Sequence, residues 1–166
     1  MSRKSATRRD VHKSFLQGCF IEQVVMKSAR VSAVPDASKG RAGQRRTHWL
    51  VGAAERLNEL VALTEGWDGK RAPAVAEQAF LTAARVLGEL AEEQIPRPDI
   101  SPSLDGGLLL EWDRDGFDLD VFVEPDGAAT VYYEHGDRGW DGDWESKREG
   151  VRLLLTHLST PSRAAV

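Results

Sequence analysis

The run LLLEWDRDGFDLDVFVEPDGAATVYYEH, residues 108–135, decides the fold class. Leu108, Leu110 and Trp112 alternate with Leu109, Glu111 and Asp113. Phe117, Leu119, Val121 and Val123 alternate with Asp118, Asp120, Phe122 and Glu124, and Val131 and Tyr133 with Thr130, Tyr132 and Glu134. A period of two sends successive side chains to opposite faces of an extended chain, so three strands with one buried face are predicted. The breaks end in Asp115-Gly116 and Asp126-Gly127, and Pro125 supplies the fixed φ that a turn wants. Strands joined so tightly pair antiparallel, which gives a three-stranded meander.

Outward from this core the period changes. Leu50, Ala53, Ala54, Leu57, Leu60, Val61 and Leu63 recur near i, i+3, i+4, i+7, with Glu55, Arg56, Asn58 and Glu59 between them. That spacing is an amphipathic helix from about His48, ended by Gly66. A second helix is predicted from Ala72-Pro73 to Ile95-Pro96, with Val75, Ala76, Ala79, Phe80, Ala83, Val86, Leu87 and Leu90 as its apolar stripe. PRPDISPS, residues 96–103, reads as a stiff connector because each proline fixes φ. Downstream, Lys147, Val151, Leu154, Leu155 and Leu158 mark a closing helix, and residues 160–166 fray.

The expected fold is therefore α+β: a three-stranded antiparallel meander packed against two N-terminal helices and one C-terminal helix, over residues 48–159. The tetrapeptide GWDG occurs twice, at Gly66–Gly69 and Gly139–Gly142. Both copies read as turns that lead into a helix, with Trp67 plugging the end of the core and Trp140 and Trp144 as candidates for a contact surface.

L-x-x-L-x-x-GWDG-x-x-A, then P-x-P-x-I-x-P-x-x-DGG-x-x-LEW, then DG-x-x-x-x-YY resembles a recurring group of small uncharacterised bacterial proteins. The matching residues include Leu60, Leu63, Gly66–Gly69, Ala72, Pro96, Pro98, Ile100, Pro102, Asp105–Gly107, Leu110–Trp112, Asp126, Gly127, Tyr132 and Tyr133. The resemblance spans roughly residues 57–134. It implies a coherent domain and transfers no catalytic role.

Charge divides the chain in two. Residues 1–47 hold 11 Lys/Arg against 3 Asp/Glu, a balance of +8, while the remainder is at −12. The small, polar, basic composition of 1–47 predicts an arm too poor in apolar area to fold alone, apart from a modest patch around Phe15–Val25. A start at Met26 instead would remove that patch. Arg8, Arg9, Arg45 and Arg46 are candidate phosphate contacts, since clustered cations release counterions from nucleic acid.

Catalytic readings find little support. Asp113-Arg-Asp-Gly116 hints at a calcium loop, but glycine falls at position 4 where an EF-hand needs it at 6. His12, His48, His135 and His157 have no ligand or base at motif spacing, and Cys19, the lone cysteine, excludes an intrachain disulfide. No apolar run approaches the roughly 18 residues of a membrane span, and no secretory leader is visible, so a cytoplasmic location is expected.

What remains is a crowd of carboxylates on the strands. With no cofactor or metal expected, the sequence favours a non-enzymatic interaction protein, antitoxin- or immunity-like, that presents an acidic face to a basic protein partner. Glu111, Asp118, Asp120, Tyr132, Trp140 and Trp144 form the expected surface. The alternative is a nucleic-acid-associated accessory protein that uses the basic arm.

Overall fold

The computed structural model describes residues 40–91, 95–114 and 116–158, with side chains from Trp49 onward. Three helices and five strands follow in the order α1 (Gly40–Val61), α2 (Glu77–Leu90), β1 (Asp99–Pro102), β2 (Leu108–Arg114), β3 (Phe117–Val123), β4 (Ala129–His135), β5 (Arg138–Asp143) and α3 (Trp144–Leu158). The strands form one antiparallel sheet in the order β1-β2-β3-β4-β5. The α+β class stands, but the three-stranded meander is overturned: one strand is added at each edge.

β1 is the middle of the stretch expected to be a connector. Pro98 and Pro102 bracket it, yet Ile100 pairs with Leu110 and Asp99 with Glu111. Prolines are tolerated because this is an edge strand, where half the backbone groups need no ladder partner. The Arg56 guanidinium covers part of that edge, its Nε–H donating to the Ile100 carbonyl at 3.0 Å. β5 contains the second GWDG, which is a strand and not a turn: Tyr133 pairs with Trp140 and Val131 with Gly142.

Two turns at one end of the sheet share one construction. In Ser103–Gly107 and in Glu124–Ala128, the first residue's N–H donates to the fifth residue's carbonyl, at 3.0 and 2.8 Å. In each, the third residue is an aspartate that accepts the fifth residue's N–H at 2.9 Å. The fourth is a glycine at positive φ, Gly106 at 96° and Gly127 at 90°, a conformation that costs a side chain dearly. Both turns then seat on α2: Ala76 N–H donates to the Gly106 carbonyl at 2.9 Å, and Thr82 Oγ1 to the Gly127 carbonyl at 3.0 Å.

The helices tile one face of the sheet, α1 beside β1, α2 over β2 and β3, and α3 over β4 and β5. A single core joins Leu57, Phe80, Leu87, Leu110, Leu119, Val121, Trp144 and Leu155, all nearly or wholly excluded from water. α1 begins at Gly40, eight residues before the expected His48. α2 begins at Glu77, later than Ala72-Pro73. The delay has local causes: the Pro73 carbonyl accepts the Trp67 indole N–H at 3.0 Å, and the Ala76 N–H goes to Gly106.

The first GWDG is a turn, as expected. Gly66 and Gly69 sit at φ 81° and 77°, and Asp68 accepts the N–H groups of Lys70 and Ala72 at 2.9 and 3.1 Å. Those two bonds hold the Asp68 carboxyl below its usual range. Trp67 is half-buried and pins the loop through its indole instead of filling the core.

Candidate functional site: the open face of the sheet

Strand register settles which side chains meet. On the face away from the helices, one row across all five strands is Asp99, Glu111, Asp120, Tyr132 and Asp141. The next row is Asp113, Asp118, Glu134 and Gly139. These two rows carry seven carboxylates. A third row, at the end of the α2-bound turns, is Ser101, Leu109, Phe122, Thr130 and Asp143. Asp143, the last residue of β5, caps the first turn of α3: it accepts the Ser146 N–H at 3.0 Å, and its carboxyl is held below the usual range by the Ser146 side-chain and backbone hydrogen bonds.

No lysine or arginine occupies an outward strand position among the described residues. Neighbouring strands lie about 4.8 Å apart, so Glu111 faces Asp120, and Asp113, Asp118 and Glu134 line up, without an intervening cation. Like charges placed directly across strands destabilise a sheet. Asp120 shows the strain of this arrangement. It lies on the central strand, its Oδ1 is closed off from solvent with no hydrogen-bond partner, and its pKa rises to about 6. Burial is the main cause, followed by repulsion from Asp118, Glu111 and Asp113. The Tyr132 hydroxyl donates to the Glu134 carboxylate two residues along, which raises the phenol above its ordinary value.

The surface expected from sequence divides. Glu111, Asp118, Asp120 and Tyr132 do share one face. Trp140 does not: it points to the helical side, half-buried against Tyr133 at 5.3 Å between ring centroids, with the Lys147 ammonium 5.3 Å from its ring. Trp144 is core, 1% exposed, its indole N–H donating to Glu89 at 3.0 Å. Both tryptophans are turned inward by strand parity and by α3, which the reading of this segment as a loop could not foresee. Phe122, 39% exposed, is the aromatic that sequence reasoning left off the surface although its parity placed it there. Asp99, Asp113, Glu134 and Asp141 complete the acidic rows.

Arg45 and Arg46 fall in α1, with side chains outside the described part. Arg8 and Arg9 lie outside the described residues. A depression of about 260 Å³ opens beside the acidic rows, where Arg97 and Arg114 meet Asp99, Glu111 and Asp113. Charges of both signs line it, so it offers no single-sign binding site. Among the described residues no three His, Cys, Asp or Glu side chains are arranged to hold a metal ion, and no helix is long and apolar enough to cross a membrane. Asp118 and Asp120 stand, half-buried, on the sheet face opposite the helices.

No protein-family model matches the chain, and neither a curated protein nor a solved structure does.

Proposed function

We propose that this chain is a non-enzymatic interaction module, antitoxin- or immunity-like, whose open sheet face receives a basic protein partner. The observation that carries the reading is the pair of rows with seven carboxylates and no outward lysine or arginine among the described strand residues. An uncompensated arrangement of this kind costs folding energy, and complementary charge on a partner would relieve it while steering encounter. Leu109, Phe122 and Tyr132 add apolar area to the same face. The chemistry of the partner follows: lysine- and arginine-rich, with a few apolar contacts.

Titration of the full chain with poly-L-lysine, followed by amide NMR, tests this directly. Shifts should concentrate on β2, β3 and β4 outward positions, and Glu111→Gln/Asp118→Asn/Asp120→Asn should weaken binding by about tenfold or more. Shifts that map to the helical layer, or a triple variant that binds as tightly as the parent, would overturn the reading.

The second reading, a nucleic-acid-associated protein, is favoured by the +8 balance of residues 1–47. It predicts that a DNA duplex shifts with the full chain in a gel, and that Arg8→Gln/Arg9→Gln/Arg45→Gln/Arg46→Gln abolishes the shift. The −12 body opposes it, since a phosphate backbone would be repelled by the sheet.

A further inference from the structure

We infer that the basic N-terminal segment of this same chain, residues 1–39, docks on the open acidic face of the sheet and competes there with a partner in trans. The inference rests on the reading of that face as a surface for basic ligands.

Three observations carry it. The segment holds Arg3, Lys4, Arg8, Arg9, Lys13, Lys27, Arg30 and Lys39 against Asp10, Glu22 and Asp36, a balance of +5. The face, by contrast, carries seven carboxylates with no lysine or arginine at an outward strand position among the described residues, Arg97 and Arg114 bordering it only at the depression beside Asp99, Glu111 and Asp113. Its pattern also matches that of the face. A cationic block, residues 3–13, precedes an apolar stretch with Phe15, Phe20 and Val24, just as the two acidic rows adjoin a row with Leu109 and Phe122. Length is no obstacle. The segment joins α1 at Gly40, and α1 lies beside the edge strand β1, whose Asp99 begins the first acidic row. Twenty extended residues reach about 60 Å, whereas a domain of this size is on the order of 35 Å across.

Tethering makes a weak contact count. Covalent attachment over this length sets an effective concentration in the millimolar range, so even a contact of about millimolar intrinsic affinity is half-occupied in the intact chain. A basic partner must then displace the arm, and its apparent affinity falls by the fraction of chains whose face is already covered.

Cys19, the single cysteine, offers a point for a nitroxide spin label inside the segment of the full-length protein. At about 20 mM salt, where charges act over some 20 Å, amide signals of residues 118–122 and 130–134 should lose intensity while those of α2 do not. The loss should vanish at about 500 mM salt and in Arg3→Gln/Lys4→Gln/Arg8→Gln/Arg9→Gln/Lys13→Gln. The same variant should bind poly-L-lysine about two- to tenfold more tightly than the parent. Equal broadening of both layers, or none on the sheet, overturns the inference. If poly-L-lysine still shifts the face in that case, the trans reading survives without the arm. If instead the label broadens the face but poly-L-lysine finds no site in the five-fold variant, the arm docks and the partner reading fails.

Discussion

Asp120 concentrates the chemistry of this protein at the scale of one side chain. A carboxyl whose pKa rises from 3.8 to about 6 on folding binds its proton more tightly in the native state than in the unfolded one. Between those two values the native state holds more protons, so stability falls as pH rises and the full penalty is present above about 6. A shift of that size would be worth about 3 kcal/mol in an enclosed site. Water reaches much of this side chain, so we expect about 1 kcal/mol. Asp120→Asn should therefore raise stability by about 1 kcal/mol in urea titrations at pH 8, and the gain should disappear below pH 3.8, where the parent is protonated in both states. A variant less stable than the parent at pH 8 would show that the carboxylate makes a contact worth more than its repulsion. Most of the motif residues do structural work instead: Trp112 donates its indole N–H to the Pro96 carbonyl at 2.9 Å, while Asp105 and Asp126 each close a turn.

Individual elements show which parts of the fold were legible in the sequence. β2, β3 and β4 were, because strict alternation and Asp-Gly breaks are local signals that tertiary context only reinforces. β1 was not: four residues with proline at Pro102 present no period, and the strand exists because β2 offers a ladder. β5 was missed because Gly139 and Gly142 dilute its pattern to one apolar residue, Trp140. One signal was nonetheless available. Gly136-Asp137 between His135 and Arg138 is a two-residue hairpin connection, with Gly136 at φ 59°. The acidic face was legible in β2 and β3, but its extension to Asp99 and Asp141 required the two edge strands. The closeness of the β1–β2 turn to its neighbour gives a test at this scale. A Cβ at Gly107 would sit 2.4 Å from the Val123 carbonyl oxygen, a backbone atom that cannot move without breaking the sheet. Gly107→Ala should cost about 2 kcal/mol, read as a lower urea midpoint with an unchanged slope. Gly69→Ala has open space and only its φ of 77° against it, and should cost less.

For the molecule as a whole, salt is the lever. The −12 balance after residue 47 means that the sheet folds against its own field. With the five N-terminal cations neutralised, so that no arm screens the face, the melting temperature should rise by a few degrees between about 10 mM and about 300 mM sodium chloride, as the Debye length shrinks below the separation of the rows. A flat or falling profile would mean that the carboxylates are already balanced elsewhere. The order β1-β2-β3-β4-β5 has one more bearing, on how quickly this architecture assembles. Each strand's partner is its immediate successor, so no pairing waits for a distant stretch of chain to arrive. All-β barrels and sandwiches are slowed by the entropy of closing large loops, and this sheet escapes that delay. It can grow one hairpin at a time, and relaxation within milliseconds to tens of milliseconds after a denaturant jump is the speed that such nearest-neighbour wiring permits.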